Sequence, residues 1–269
     1  MSQNLKIGVF GAAGKMGRTI VRVIADTKGT SLGAAIEGPN NPTIGQDAGA
    51  LAGVTPLGVA VKGESPGADA AAAWIDFSLP EVTVANADAA ARAGVAFVAG
   101  TTGLSDAQKA KLAEAGQKIP VVFSPNMSIG VNVLLELVKR ATVSLGTDYD
   151  IDIVEAHHRM KRDAPSGTAL RLAEAVAEGR ERPLSEIACY SRHGEIGARP
   201  PGELGIQTLR GGDVVGDHTV FFFGQGERIE ITHRASSRET FARGAVRAAI
   251  WAAGRAPGLY DMRDVLGLR

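Results

Sequence analysis

The chain has 269 residues, with Lys+Arg 29 balanced by Asp+Glu 29, so no broad basic field advertises nucleic acid and any anion site must be local. A single cysteine, Cys189, excludes an intramolecular disulfide and reads as a packed, inert thiol in a reducing compartment. The length suffices for one or two buried cores, and high Ala and Gly with aromatics at 5% point to close helix–sheet packing.

The leader Met1-Ser-Gln-Asn-Leu-Lys6 has no charged n-region, apolar stretch or cleavage site. The apolar runs fall short of the ~20 residues that span a bilayer. A soluble, cytoplasmic protein with no membrane or nucleic-acid partner is expected.

Leu5–Phe10 reads as a parallel strand covered on both faces. Gly11, Ala12, Ala13, Gly14, Lys15, Met16 and Gly17 follow, then a helix from Arg18 to Ala25 with Ile20, Val21, Ile24 and Ala25 at helical spacing. In this context Gly11 permits a tight turn, Gly14 lets backbone approach a pyrophosphate, and Gly17 lets helix pack on strand. The helix N-terminus then favours the phosphates. A strand over Ser31–Ile36 ends in Glu37, twenty residues past Gly17, where an acid meets the adenosine ribose. A ligand-free βα turn is the alternative; strand, helix and acid in register favour a dinucleotide. Glu37 favours NADH by repelling a 2′-phosphate, and Gly38 supplies no arginine beside it. Lys15 and Arg18 are either a substitute cation for NADPH or a solvated helix face.

Residues 39–53 read as a loop and Val59–Val61 as a short strand. Trp74–Phe77 is a strand, Val82–Ala93 a helix and Val95–Ala99 a strand closing in Gly100, Thr101, Thr102 and Gly103. Small hydroxyl residues there suit a wall beside a nicotinamide, though a plain loop fits as well. Ser105-Asp-Ala-Gln108 resembles a capping box for a helix through Gly116. Pro120–Phe123 is the next strand, running into Ser124, Pro125, Asn126 and Met127. This β/α alternation predicts a Rossmann-like, doubly wound parallel sheet.

Ile129–Val143 is an amphipathic helix with Val133, Leu134, Leu137 and Val138 on one face. Beyond it, Ile151–Val154, Ala188–Arg192, Gly205–Arg210, His218–Phe223 and Arg228–Thr232 read as strands of a second, mixed or antiparallel sheet in an α+β domain. Residues 211–217 are a turn, and Ser236 or Ser237 caps a last helix, Arg238–Ala253, that packs back on the first domain. The domains are thus 1–127 with 238–269 for the dinucleotide, and 128–237 for substrate and oligomerisation.

The densest chemistry lies in Glu155–Thr168: two histidines, Arg159, Lys161, Arg162 and a Pro-Ser-Gly-Thr turn, with Arg171 following. His157 and His158 are adjacent, so on a strand they face opposite sides and do not share one metal; no H-x-x-x-H or Cys pair accompanies them, and no metal is expected. The cations stabilise a carboxylate, and Gly167 and Thr168 offer donors of the kind anions prefer. A histidine in such a site can deliver a proton near neutrality. Arg159, Met160 and Arg162 read as fill or rim, Asp76 as a loop or cap acid, and His193, His218 and His233 as structural.

Glu155-Ala-His-His-Arg-Met-Lys-Arg-Asp-Ala-Pro-Ser-Gly-Thr-Ala169 closely resembles the E-x-H-H-x-x-K-x-D-x-P-S-G-T-A signature of bacterial dihydrodipicolinate reductase. The similarity extends to the Gly11–Gly17 loop, Glu37, Gly100-Thr-Thr, Ser124-Pro-Asn-Met, residues 210–218 and residues 233–241. It implies reduction of the cyclic dicarboxylate 4-hydroxy-tetrahydrodipicolinate, via dihydrodipicolinate, with NADH or NADPH in diaminopimelate and lysine biosynthesis. By position it implies His157 as proton donor, Lys161 as a second donor, and His158, Lys161, Gly167 and Thr168 as carboxylate ligands. It further implies Gly11–Met16, Glu37, Gly100–Thr102 and Ser124–Met127 around the cofactor, and a homotetramer joined through the second-domain sheet. Two departures bear on cofactor choice: Gly38 and Leu79 stand where such enzymes often carry arginine. A dehydrogenase of the same plan acting on an amino acid, and a nucleotide sensor without turnover, are the competing readings.

Overall fold

The computed structural model describes residues 4–64, 67 and 70–269, so the leader reading at residues 1–3 lies outside them. The described residues form two compact units, residues 1–129 with 239–269 and residues 130–238. In the first unit β1 (Leu5–Phe10), α1 (Lys15–Asp26), β2 (Thr30–Ile36), α2 (Ala48–Ala52), β3 (Val61–Lys62), β4 (Ala73–Asp76), α3 (Pro80–Ala93), β5 (Ala96–Ala99), α4 (Asp106–Gly116) and β6 (Pro120–Phe123) alternate. The second unit carries α5 (Ile129–Leu145), β7 (Asp150–His157), α6 (Gly167–Gly179), α7 (Leu184–Ile187), β8 (Ala188–Cys189), β9 (Leu204–Arg210), β10 (Gly216–Phe223) and β11 (Arg228–Ala235). The chain then returns to the first unit with α8 (Glu239–Ala252), β12 (Gly258–Tyr260) and α9 (Met262–Leu266).

The first sheet runs β12-β6-β5-β4-β1-β2-β3 with every pairing parallel. Its strands bury both faces. Ile7, Val9, Ile75, Val98 and Val122 pack under α1 and α8, while Phe10, Trp74, Phe97 and Val121 pack under α3 and α4. Each fully buried side chain of this kind contributes about 1.5–3 kcal/mol. Winding reverses between β1 and β4, and that is where ligands of doubly wound sheets bind.

The second sheet runs β11-β10-β7-β9-β8, antiparallel at β11/β10/β7 and parallel at β7/β9/β8. Its inner face, with Ile151, Ile153, Leu204, Ile206, Val220 and Phe222, packs against Leu134 and Val138 of α5 and Leu172, Ala173 and Val176 of α6.

Several expectations are corrected. The 39–53 loop contains α2, whose start is held by Asp47 accepting from the Ala50 backbone N–H; five small or apolar residues carry too little periodicity to reveal it. The strand expected at Ala188–Arg192 is only β8, because α7 precedes it and pairing with β9 ends at Cys189. Cys189 is half-buried on that edge strand, its thiol donating to the Ser191 carbonyl at 3.3 Å, rather than packed in a core. On α5 the buried stripe is Val131, Leu134, Val138 and Thr142, and Leu137 is 48% exposed. That helix is apolar on more than one side, and the sheet selects which stripe is covered. Among the described residues no helix is long and apolar enough to cross a membrane.

Candidate active site

In the first unit the residues expected around a dinucleotide stand at the carboxyl ends of β1, β2, β5 and β6. Gly11 has φ +69°, the left-handed turn only glycine adopts freely. The turn is tied down by Ala12 N–H donating to Ile36 O at 3.0 Å, Ala13 N–H to Glu37 Oε2 at 3.0 Å, and Arg18 Nε to Ala13 O at 2.8 Å. Arg18 is therefore half-buried in the turn, whereas Lys15 is exposed. Gly14 caps α1 without a side-chain acceptor and is itself exposed, which opens the first helical turn, with Lys15 and Met16, to an external acceptor. A pyrophosphate fits that cradle, with charge-assisted bonds from backbone N–H groups. Glu37 also accepts from Gly38 N–H at 3.1 Å, so the acid joins the end of β2 to the glycine turn.

The two threonines after β5 differ in role. Thr102 is exposed, while Thr101 is buried with its hydroxyl donating to Asp76 Oδ1 at 3.3 Å. Asp76 is wholly buried at the end of β4. It accepts from Ser78 N–H (2.8 Å), Ser78 Oγ (2.6 Å), Thr83 Oγ1 (3.1 Å) and Asn86 Nδ2 (2.6 Å). The carboxylate thus binds the Gly100–Thr102 turn to the start of α3, more than a loop acid would. After β6, Ser124 is buried and donates to Asn126 O at 2.8 Å, and Asn126 Oδ1 accepts from Ser128 N–H at 2.9 Å. Pro125 is exposed, while Met127 is 1% exposed and packed in the core. Its backbone is covered as well, the carbonyl lying close against Gly244 of α8.

The second unit builds its site at one end of the inner sheet face. Along β7 every second residue is buried, so Ile151, Ile153, Glu155 and His157 share that face. The register sets Thr208 and Arg210 of β9 beside Glu155 and His157, and His218 of β10 beside Glu155. An apolar stripe therefore ends in a polar layer drawn from three strands.

Glu155 is its hub. Oε2 lies 2.6 Å from His157 Nδ1 and 2.8 Å from Arg210 Nη1; Oε1 accepts from Arg210 Nη2 (2.8 Å), Ser166 N–H (3.0 Å) and Thr208 Oγ1 (3.2 Å). Burial by itself would raise the Glu155 pKa, but the Arg210 guanidinium, His157 and the Ser166 amide outweigh it and hold the carboxyl below its ordinary range. Arg210 is correspondingly raised by Glu155. The His218 ring meets His157 edge-on, with centroids 5.2 Å apart and planes at 75°. Burial, then the nearby His157, lower the His218 pKa to about 4, which keeps it neutral. Its Nε2 lies 3.2 Å from Ser166 Oγ, which also accepts from Ala169 N–H and caps α6.

His158, just past β7, is half-buried, and its backbone N–H donates to Val214 O at 2.7 Å. Lys161 is 20% exposed, with Nζ donating to both Asp163 oxygens at 2.8 Å. The Asp163 carbonyl in turn accepts from Arg210 Nη2 at 2.6 Å, which fastens the loop to the sheet. Gly167 is exposed and Thr168 half-buried at the opening of α6. Arg159, Met160, Arg162 and Arg171 are exposed, and Arg171 pairs with Glu174 at 3.4 Å.

Reading from residues missed Arg210, Ser166 and Thr208, and left His218 without partners. These contacts span 11 to 55 positions from Glu155, so spacing along the chain carried no signal; Ser166, Arg210 and His218 did lie inside segments that resemble the family. Among the described residues no group of three or more His, Cys, Asp or Glu could hold a metal. The layer offers a buried acid–imidazole pair, an adjacent ammonium and a helix start, a set suited to proton transfer onto a bound anion.

Family models described as "Dihydrodipicolinate reductase, N-terminus" and "Dihydrodipicolinate reductase, C-terminus" match residues 5–127 and 130–266. The chain is 59% identical over 268 residues to the 4-hydroxy-tetrahydrodipicolinate reductase of Anaeromyxobacter dehalogenans, covering 98% of each chain. It is 51% identical to that of Syntrophotalea carbinolica, covering 98% of this chain and 100% of the other. In fold it is similar to a dipicolinate-bound dihydrodipicolinate reductase from Paenisporosarcina sp. TG-14, with a TM-score of 0.74 at 22% identity over 96% of this chain and 98% of that one.

Proposed function

This chain belongs to the dihydrodipicolinate reductase family, and from that premise we propose that it reduces 4-hydroxy-tetrahydrodipicolinate, via dihydrodipicolinate, to tetrahydrodipicolinate in diaminopimelate and lysine biosynthesis. It is an NAD(P)-dependent oxidoreductase. The observation that carries the residue-level reading is the Glu155–His157 pair beside Lys161 and the start of α6.

In this reading Gly11–Met16 hold the pyrophosphate, Glu37 the adenosine ribose, and Gly100–Thr102 with Ser124–Met127 the rest of the cofactor. NAD(P)H, when bound, supplies the hydride to a ring carbon conjugated with the imine and the carboxylates. His157 delivers the proton to the neighbouring carbon, with Lys161 a second donor. His158, Lys161, Gly167 and Thr168 hold the carboxylates; Lys161, chelated by Asp163, offers its remaining donor. We assign residues 1–127 with 238–269 to the dinucleotide and 128–237 to substrate and self-association.

Glu37, followed by Gly38 with no arginine, favours NADH, and exposed Lys15 is the cation open to NADPH. A coupled assay fed with the product of dihydrodipicolinate synthase is expected to consume both cofactors, with the higher kcat/KM for NADH. Binding of NADH without oxidation would instead identify a sensor, and a higher kcat/KM for NADPH would overturn the preference.

Self-association has its own support. On the outer face of the second sheet Phe223 is 37% exposed with Phe221 stacked on it at 5.6 Å, and Leu209 is 56% exposed at the other end of that face. Exposed apolar side chains on an open sheet face support an interface there. Light scattering of the purified, cytoplasmic protein is expected to give four copies; a monomer mass would remove this element.

A further inference from the structure

We propose that Glu155, locked by Arg210, is a positioning residue that fixes the tautomer of His157, with Nδ1 carrying a proton and Nε2 left as the atom that exchanges protons with substrate. The inference rests on the reading of His157 as the proton donor.

A carboxylate accepts hydrogen bonds and donates none, so at 2.6 Å from Oε2 the His157 Nδ1 must be the donor. Glu155 cannot rotate away, because Arg210 grips both of its oxygens and Ser166 N–H and Thr208 Oγ1 hold Oε1. His218 stands edge-on to the His157 ring, and the missing side chain of Gly216 keeps Nε2 clear, since a Cβ there would lie 3.0 Å from it. With Nδ1 committed to Glu155, Nε2 is the ring nitrogen left for chemistry.

Glu155→Gln tests the assignment, because one orientation of its amide opposes fewer donors than the other, three at Oε1 against two at Oε2. Three donors converge on the Oε1 position, from Arg210, Ser166 and Thr208, so the amide oxygen belongs there. The NH2 then takes the Oε2 position, where it loses the Arg210 Nη1 bond, faces His157 Nδ1 as a donor and forces the ring proton to Nε2. A ring in the wrong tautomer keeps its place and loses its function. In the full-length enzyme Glu155→Gln is expected to lower kcat about 10²-fold or more while the KM for NADH stays within about twofold. Neutron diffraction from deuterium-exchanged wild-type crystals is expected to locate deuterium on His157 Nδ1, a measurement that does not depend on the variant folding.

A Glu155→Gln enzyme with wild-type kcat, or wild-type His157 with a bare Nδ1, would overturn the proposal. Failure of the underlying reading looks different: His157→Gln would then turn over normally, while the wild-type neutron map still carried deuterium on Nδ1.

Discussion

Replacing His157 by Gln is expected to lower kcat by about 10²–10⁴-fold while changing the KM for NADH by no more than about twofold. The split follows from where the residue sits. His157 belongs to the polar layer of the second sheet, whereas the residues assigned to the dinucleotide belong to the first unit's parallel sheet. Glutamine matches part of the imidazole's size and hydrogen bonding but has no acid–base proton to transfer, so the loss falls on proton transfer rather than on binding. Lys161→Ala should also lower kcat, and in addition weaken the dicarboxylate, because it removes a charge-assisted donor and leaves Asp163 to repel an anion. Steady-state kinetics with both substrates varied checks each outcome. Wild-type kcat in both variants would sink the assignment of chemistry to this loop.

The second large effect is expected at Gly17. A Cβ there would lie 2.0 Å from Gly11 O and 2.7 Å from Ala12 Cα, both backbone atoms of the glycine turn. Rotation of a side chain cannot relieve such contacts, so Gly17→Ala must push α1 off the turn or distort the turn itself. Either response separates Ile20, Val21 and Ile24 from the core they share with β1 and α8. A stability loss of about 3 kcal/mol or more is expected, measured by urea denaturation. NADH binding by the remaining folded protein should weaken in parallel, since the same turn presents the α1 N-terminus. A variant with wild-type stability and NADH affinity would show that the turn accommodates a methyl group and that this packing argument is mistaken.

The contrast between these two sites shows how far a linear reading reaches. At Gly17 the cause is local: strand, turn and helix are contiguous, and the spacing of Gly11, Gly14 and Gly17 with Glu37 beyond already implied a backbone that must come close to something. Much of β7 was equally legible, since Ile151, Ile153, Glu155 and His157 alternate and must share a face whichever neighbours they meet. Sequence by itself therefore determined the doubly wound sheet, the glycine turn, the second mixed sheet, and the likeness of Glu155–Ala169 to a family signature.

Tertiary structure alone decided what Glu155 does. The strand order β10-β7-β9 and its register bring Arg210 from 55 positions away and His218 onto the same buried face. It likewise made Asp76 the anchor of the Gly100–Thr102 turn through Thr101 and Thr83, turned Leu137 outward, and left Arg171 on the surface of α6. The physical reason is common to these cases. A side chain's direction along its own element follows from backbone periodicity, but its partners follow from which elements pair and in what register, and the free energy that selects the pairing is spread over the whole buried face of each unit.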